Sequence, residues 1–281
     1  MSKCIVCDTI KSDLLYSGIM RCGECGHVFS GSIDSVLSAA AAYGNGYFFG
    51  GEYSDYIADK KITQDNFRLR LKVLDKFLDP LRHKSLLEIG SAYGFFLDVA
   101  KNRFEKLKGI DVTSEGILHA KEKLGLDAEA GDFLKHDFKG QSFDVVCLWD
   151  TIEHLKDPSA CLAKISGSMT KKGALVAITT GDIGSLNARM KKDRWRIMQA
   201  PTHLHYFSKN TLSRLLAENG FEIAYAGHCG FYRSLDMAFH RISLGGRASR
   251  SFYKIMHRTG LLGFRFYLNL YDIMYIIARK I

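Results

Sequence analysis

From residue 85 onward, short apolar runs alternate with longer segments in which apolar residues recur every three or four positions. Short runs rich in Val, Ile and Leu are typical of buried strands, and the longer period is typical of amphipathic helices. The predicted strands are 85–89, 107–111, 126–130, 143–149, 174–180, 221–227 and 272–280. The predicted helices are 62–79, which ends at Pro80, then 95–103, 114–124, 158–169 and 208–219.

This alternation of strands and helices predicts the fold class. Strands that alternate with helices form right-handed crossovers and a parallel sheet covered on both faces. We therefore expect an α/β fold with a doubly wound, Rossmann-like and mainly parallel seven-stranded sheet. A length of 281 residues fits one large domain, over 62–281, with a smaller module before it.

The amino-terminal 30 residues contain two Cys-x2-Cys pairs. Cys4 and Cys7 are separated from Cys22 and Cys25 by 14 residues. Such a spacing is typical of a tetrahedral thiolate site for a structural zinc ion, and free cysteines in a chance arrangement are the alternative. We predict a small zinc ribbon over residues 1–30.

Residues 31–61 are rich in glycine and tyrosine. The segment is a linker or a lid over a site, and Tyr47, Tyr53 and Tyr56 are the residues that would close it. The same tyrosines could equally be core residues.

Composition indicates a cytoplasmic globular protein. Hydrophobic residues make up 47% and charged residues 25% of the chain, and the amino terminus has no apolar segment typical of a signal peptide. We also expect no transmembrane helix, because no stretch of 18 apolar residues is free of charges.

The net charge of +9 is concentrated near the carboxyl terminus. Residues 231–281 contain nine Lys or Arg and two Asp, which gives 9 − 2 = +7. We expect a basic helical insert over 231–268, which would contact the anionic surface of the cytoplasmic membrane. A helical cover with solvated arginines is the alternative.

The most informative turn is Glu88-Ile-Gly90-Ser-Ala92-Tyr93-Gly94, between a predicted strand and a predicted helix. A dinucleotide-binding turn would need glycine where the chain has Ala92 and Phe95. The turn instead resembles the E-x-G-x-G-x-G motif of class I S-adenosylmethionine-dependent methyltransferases, with Ala92 in place of the middle glycine.

Three further motifs follow in that family's order. Asp111 ends the second strand, Gly131-Asp132-Phe133 follows the third, and Trp149-Asp150-Thr-Ile-Glu-His154-Leu follows the fourth. The resemblance implies that Asp111 accepts the ribose hydroxyls and that Asp132 and Phe133 contact the adenine. The full set of expected cofactor residues is Glu88, Gly90, Ala92, Tyr93, Gly94, Asp111, Val112, Asp132, Phe133 and Asp150. We also expect the acids Glu88, Asp111, Asp132 and Asp150 to attract the cofactor's sulfonium cation.

A narrower resemblance covers most of the chain. The ribbon, the tyrosine-rich segment, Arg194-Trp-Arg196 and Pro201-Thr-His-Leu-His-Tyr-Phe-Ser208 are similar to the zinc-ribbon methyltransferases of sugar and surface-polysaccharide biosynthesis. This resemblance implies a small sugar or glycan acceptor, either free or lipid-linked. Relatives that methylate sugar carbon have a further carboxy-terminal domain, so for a chain of 281 residues we expect oxygen as the acceptor atom.

A hydroxyl acceptor benefits from a general base, and histidine suits that task near neutral pH. His203 is the first candidate, because the resemblance places a histidine there, although Thr202 stands where the family has glutamate. His154 is the second candidate, and His205 is expected to be a packing residue.

Two other functions compete with this interpretation. A zinc-ribbon RNA methyltransferase is disfavoured because residues 1–30 have no net charge and because Asp150-Thr-Ile-Glu replaces the [DN]-P-P-[FY] motif of base-amino methyltransferases. A non-catalytic S-adenosylmethionine-binding module is disfavoured because the acidic positions are intact. Nucleic acid is therefore not an expected partner.

Overall fold

The fold was obtained as a computed structural model that describes residues 3–33, 56–168, 171–235 and 264–281. The amino-terminal region forms three antiparallel strands, β1 (Ser12–Tyr16), β2 (Ile19–Cys22) and β3 (Val28–Ser30). A two-residue strand from far along the chain, β9 (His205–Tyr206), extends this small sheet by pairing with β3.

The large domain is built on a seven-stranded sheet. Its strands are β4 (Ser85–Ile89), β5 (Lys106–Asp111), β6 (Ala128–Ala130), β7 (Val145–Trp149), β8 (Leu175–Gly181), β10 (Phe221–His228) and β13 (Ile273–Lys280). The strand order is β10-β13-β8-β7-β4-β5-β6. The five strands β4 to β8 are parallel, and β13 lies antiparallel between β8 and β10. The mainly parallel seven-stranded sheet predicted from the sequence is thus confirmed.

The described helices lie along and around this sheet. They are α1 (Lys60–Leu74), α2 (Phe95–Ala100), α3 (Ser114–Leu124), α4 (Pro158–Ser168), α5 (Leu186–Lys191) and α6 (Lys209–Glu218). Short helical turns occur at Ile152–His154 and Lys192–Arg194.

The two faces of the sheet bury separate apolar clusters. Along β7, Val146 and Leu148 pack with α4 and α6, whereas Val145 and Cys147 pack with α1 and α2. Every residue of β7 and β8 is buried. Continuous apolar strands are expected where helices cover both faces of a parallel sheet.

Most element boundaries agree with the predicted ones to within two or three residues. The larger difference is α1, which was predicted to extend to residue 79 and ends at Leu74. The backbone forms a tighter turn there, in which the Phe77 N–H donates to the Leu74 carbonyl three residues earlier. Phe77 and Leu78 still pack against the core, which is why the apolar period continues beyond the helix.

The predicted helical insert over 231–268 is wrong at both of its ends. These ends are extended and pair with each other as β11 (Phe231–Ser234) and β12 (Arg265–Leu268). Alternating residues of these strands can share a face, so aromatic and basic residues at short spacing did not require a helix. The predicted membrane-contacting helix falls between them, outside the described residues.

The segment 31–61, predicted to be a linker or a lid, also falls largely outside the described residues, including Tyr47 and Tyr53. Tyr56 is described, and its buried ring stacks on Phe95 at 5.1 Å between centroids. Among the described helices, none combines the length and the apolar character that crossing a bilayer requires.

A long excursion, residues 182–208, leaves the carboxyl end of β8 and is held by one buried carboxylate. Asp272 is 1% exposed and accepts hydrogen bonds from Asn187 Nδ2 at 2.7 Å, Trp195 Nε1 at 2.9 Å and Arg196 Nη2 at 2.7 Å. The three donors come from α5 and from the chain just after it, so Asp272 fixes the first half of the excursion.

Replacing Asp272 by alanine should lower the free energy of unfolding by about 3 kcal/mol, because it leaves three buried or half-buried donors without their acceptor. Urea denaturation measures this loss. The control is Asp193→Ala, an exposed carboxylate in the same excursion, for which a change within about 0.5 kcal/mol is expected. Equal effects of the two substitutions would contradict the assigned role.

Candidate active site

A crevice is expected between β4 and β7. The chain proceeds from β4 to β5 and β6 on one side, and from β7 to β8 on the other, so the loops that follow β4 and β7 diverge. Ligands of open α/β sheets bind at such a switch point, at the carboxyl ends of the strands. Gly90 and Thr151 lie there, at the start of these two loops.

Gly90 is required by a close approach of these loops. Its φ is +77°, and a Cβ at this position would lie 2.4 Å from Thr151 Oγ1 and 2.7 Å from Thr151 Cγ2. The absence of a side chain therefore keeps the turn against the next loop while leaving the backbone open to a ligand.

Ala92 occupies the position of the middle glycine, and its φ is +44°. The left-handed conformation explains why glycine is found there in the motif that this turn resembles. Asp111 holds the turn in place: its Oδ2 accepts the Ala92 N–H at 2.8 Å, and its Oδ1 accepts the Thr113 N–H at 2.8 Å and hydroxyl at 2.5 Å.

The sequence predicts that Asp111 accepts ribose hydroxyls, and the structure shows that it also holds the turn at Ala92. Each carboxylate oxygen has two lone-pair sites, so the contacts within the chain leave acceptor capacity on Oδ2. Val112, which follows it, is half-buried.

The Tyr93 side chain does not point toward the crevice but into the core. It is 1% exposed, its hydroxyl donates to Glu115 Oε1 at 3.0 Å, and its ring packs against Tyr56 and Phe95. Only the backbone of Tyr93 contributes to the turn, whose last residue, Gly94, caps α2.

The site carries less negative charge than the four carboxylates expected from the sequence would supply. Burial, reinforced by the charge of Asp111, raises the pKa of Glu88 well above its usual range, which favours the uncharged carboxyl. Asp150 forms an ion pair with Arg70 of α1, with 2.5 Å between Oδ2 and Nη2. The attraction of a sulfonium cation therefore depends on Asp111 and Asp132 more than the sequence suggested.

Asp132 and Phe133 follow β6 in the predicted order. The Asp132 side chain is exposed, and its Oδ1 accepts the Leu134 N–H at 2.9 Å. Phe133 is buried beside Phe138, and Lys164 Nζ lies 5.1 Å from the centroid of its ring. Asp132 remains accessible to a ligand, whereas Phe133 is mainly a core residue.

These residues fit an S-adenosylmethionine-type cofactor. Glu88 Oε2 is buried and has no hydrogen-bond partner in the described chain, and Gly90 keeps the adjacent backbone open. A buried acceptor without a partner is an arrangement in which a ligand donor is expected. The backbone of 90–94 with Glu88, Asp111 and Asp132 would hold the cofactor.

The two predicted histidines meet at the same edge of the sheet. The turn Ile152–His154 follows β7, and His203 comes from the end of the 182–208 excursion. Their rings are perpendicular, with centroids 4.6 Å apart, and His154 Nδ1 donates to the Thr202 carbonyl at 2.9 Å. A third group, Glu153, completes the cluster, since the ligand-type atoms of all three lie within 4.8 Å of one another.

Burial keeps this histidine cluster (Glu153, His154 and His203) electrically neutral. It raises the pKa of Glu153 to about 8 and lowers the pKa of His203 to about 3, and it also lowers the pKa of His154. The carboxyl is therefore protonated and both imidazoles are neutral at pH 7. Glu153 Oε2 and His203 Nδ1 are buried and have no hydrogen-bond partner within the described residues, an arrangement in which a polar group of a ligand is expected.

Sequence reasoning missed Glu153 and Arg70. Glu153 stood directly before His154 in the motif after the fourth strand, which was a usable signal. Arg70 lies 80 residues from Asp150 on an ordinary amphipathic helix, and nothing in the sequence indicated the pair.

The four amino-terminal cysteines converge as the zinc prediction requires. Their Sγ atoms lie within 4.8 Å of one another, with 3.5 Å between those of Cys4 and Cys25 and between those of Cys7 and Cys22. A tetrahedral zinc ion with Zn–S bonds of about 2.3 Å needs sulfurs about 3.8 Å apart. The Cys25 N–H also donates to Cys22 Sγ at 3.4 Å, as in a turn that stabilises thiolates. The donor set fits zinc.

The sheet order and the loops at its carboxyl edge define the fold of class I methyltransferases. Solved structures with this fold include an S-adenosylmethionine-dependent methyltransferase from Thermotoga maritima, with a TM-score of 0.55 and 18% identity over 87% of this chain and 100% of that one. Another is the magnesium protoporphyrin IX methyltransferase of Synechocystis PCC 6803 with bound SAH, with a TM-score of 0.50 and 12% identity over 80% of this chain and 87% of that one.

Sequence comparison gives the family. The chain is 26% identical to the ubiquinone biosynthesis O-methyltransferase of Neisseria meningitidis serogroup C over 189 residues, which are 60% of this chain and 76% of that protein. The methyltransferase-domain family model matches residues 59–226, more than half of the chain. The chain therefore belongs to the methyltransferase-domain family and is an S-adenosylmethionine-dependent methyltransferase.

Gly90→Ala should weaken the binding of S-adenosylmethionine at least tenfold, because the new Cβ would push the turn away from Thr151. Isothermal titration calorimetry measures this affinity. Gly140→Ala is the matched control: its φ is +75°, but a Cβ there meets nothing within 4 Å. Both substitutions introduce similar backbone strain, so equal affinities in the two variants would contradict the steric explanation.

Glu153→Gln should flatten the dependence of stability on pH. Since the folded state holds the Glu153 proton up to about pH 8 and the unfolded state releases it near 4.5, the free energy of unfolding falls as pH rises between these values, by up to about 1.4 kcal/mol per unit. Glutamine removes this loss, so the variant should gain stability relative to the wild type as pH rises from 5.5 to 8. Urea denaturation at several pH values measures the gain.

The control for this experiment is Glu222→Gln, at an exposed carboxyl on β10. Its curve of stability against pH should run parallel to that of the wild type. A parallel curve for Glu153→Gln as well would show that Glu153 does not retain its proton.

Proposed function

We propose that the protein transfers the methyl group of S-adenosylmethionine to a hydroxyl of a sugar or glycan, free or lipid-linked, in polysaccharide or secondary-metabolite biosynthesis. The single observation that carries this proposal is the neutral histidine cluster beside the expected cofactor crevice. The Neisseria relative is an O-methyltransferase by name, which supports oxygen as the acceptor atom.

The residues of the cluster suit proton transfer from a hydroxyl. The cofactor supplies an activated methyl group when bound, and rapid transfer then requires the acceptor oxygen to be held in line with it. His203 is neutral at pH 7 and its Nδ1 has no partner, so it can accept the hydroxyl proton. Burial makes His203 a weaker base than a free imidazole. A weak base can still take the proton, because the hydroxyl becomes strongly acidic as the new C–O bond forms.

His154 and Glu153 support this role in different ways. The bond from His154 Nδ1 to the Thr202 carbonyl fixes the peptide that precedes His203. The protonated Glu153 can donate a hydrogen bond to another acceptor oxygen. Its neutrality also avoids holding His203 in the protonated form, in which it could not act as a base.

Three further assignments belong to this proposal. Cys4, Cys7, Cys22 and Cys25 hold a structural zinc ion. The enzyme is cytoplasmic, and its basic carboxy-terminal region, with a sequence charge of +7 over 231–281, contacts the anionic cytoplasmic face of the membrane. Nucleic acid is not a partner.

The direct test uses purified protein, methyl-labelled S-adenosylmethionine and an extract of the source cells. Label should appear in the lipid-extractable fraction or in the small water-soluble fraction. Label confined to nucleic acid would overturn the sugar proposal and favour RNA methylation, and absence of label from every fraction would favour a non-catalytic binding module.

His203→Asn should lower kcat at least about 100-fold, since a positioned general base contributes 10²–10⁴-fold to the rate. The affinity for S-adenosylmethionine should stay within twofold of the wild type. His83→Asn serves as the control, because His83 precedes β4 at the opposite edge of the sheet. A kcat within threefold of the wild type in His203→Asn would exclude His203 as the base.

A further inference from the structure

We propose that the amino-terminal ribbon positions the acceptor-side segment 203–206, and that His27 of the ribbon is a positioning residue for His203. In consequence, the metal-loaded ribbon is required for transfer to the acceptor but not for binding of the cofactor. This inference rests on the proposed function of His203, and its structural part can be tested without activity.

The first observation is a backbone connection that runs from the ribbon to the histidine cluster. Strand β3 pairs with β9, with Val28 opposite Tyr206 and Phe29 opposite His205. The Ser30 N–H donates to the Leu204 carbonyl at 2.8 Å, and the Leu204 N–H donates to the Glu153 carbonyl, also at 2.8 Å. Leu204 therefore bridges the ribbon and the turn after β7, and His203 is the residue directly before it.

The second observation is a buried contact between two histidine side chains. His27 Nε2 lies 3.1 Å from His205 Nδ1, and both side chains are almost completely buried. The His27 ring also packs on His205 and Phe207, with centroid distances of 5.3 Å and 5.0 Å. A hydrogen bond between two buried rings fixes the orientation of both, because breaking it would leave two polar atoms without partners.

The third observation links His27 to the cysteine site. The Cys22 N–H donates to the His27 carbonyl at 2.8 Å, and Cys25 lies only two residues before His27. The cysteine turn and His27 are therefore one rigid unit when the thiolates are held by metal. Without metal the cysteine turns lose the bonds that would join them, so the ribbon should be less ordered.

The ribbon also packs against the large domain through apolar residues, so it is not a separate module joined to the domain by the chain alone. Ile19 and Val28 of the ribbon share one buried cluster with Ala188, Trp195 and Tyr206 of the excursion. Loss of ribbon structure would therefore expose apolar surface of the excursion as well as remove the partner of β9.

The variant that tests the side-chain contact is His27→Leu, which keeps all four cysteines. Zinc content should remain at one ion per chain, and the affinity for S-adenosylmethionine should stay within twofold of the wild type. The value of kcat/KM for methylation of the acceptor in the labelled water-soluble or lipid fraction should fall at least tenfold. His27→Gln, whose amide can restore one hydrogen bond, should recover part of the loss, and Arg21→Ala, an exposed ribbon residue, should have no effect.

Hydrogen exchange tests the structural coupling on the protein alone. Removing the metal with a chelator should raise exchange in the peptide containing 203–206, while β4 stays protected. This readout stands even if no acceptor is methylated, so failure of the coupling and failure of the proposed function are distinguishable. Unchanged exchange at 203–206 after metal loss would overturn the inference, and so would a loss of cofactor affinity parallel to the loss of activity in His27→Leu.

Discussion

The proposed acceptor side of the active site depends on the pair of hydrogen bonds made by the backbone of Leu204. One bond reaches the ribbon at Ser30 and the other reaches Glu153. Residues 182–208 would otherwise form a long connection with little regular structure, and ordering such a segment costs about 1–2 kcal/mol of backbone entropy per residue. Asp272 fixes the first half of this segment and Leu204 the second, so His203 can lie against His154.

Burial determines the electrostatics of the site. It raises the pKa of Glu88, keeps Glu153 protonated and keeps His154 and His203 neutral at pH 7, and Asp150 forms an ion pair with Arg70. The proposed acceptor side, formed by Glu153, His154 and His203, is therefore an uncharged buried cluster, whereas Asp111 and Asp132 lie on the side expected to bind the cofactor. Such a division suits a cationic donor and a neutral hydroxyl, since a charge on the acceptor side would need a partner of its own.

Local pattern predicted the parts of the structure that local physics decides. The buried strands, the turn at Gly90 and the Cys-x2-Cys pairs each leave a signature within a few residues. The pairing of β9 with β3 does not, because a two-residue strand has no period and His205 lies 178 residues from its partner His27. The ion pair of Arg70 with Asp150 also leaves no local signature, because 80 residues separate the two side chains. The hydrogen bond by which Asp111 holds Ala92 is visible only in the folded turn.

The proposed function requires the reacting end of the cofactor to face His203 across the space for one hydroxyl. The most direct measurement is a crystal structure with bound S-adenosylhomocysteine, in which the distance from its sulfur to the nearer ring nitrogen of His203 is read. This distance must hold the methyl group, the attacking oxygen and the hydrogen bond from that oxygen to His203, so we expect about 6–8 Å. A distance above about 12 Å, or a His203 ring turned toward the core with both nitrogens hydrogen-bonded there, would contradict the role of His203 as the base.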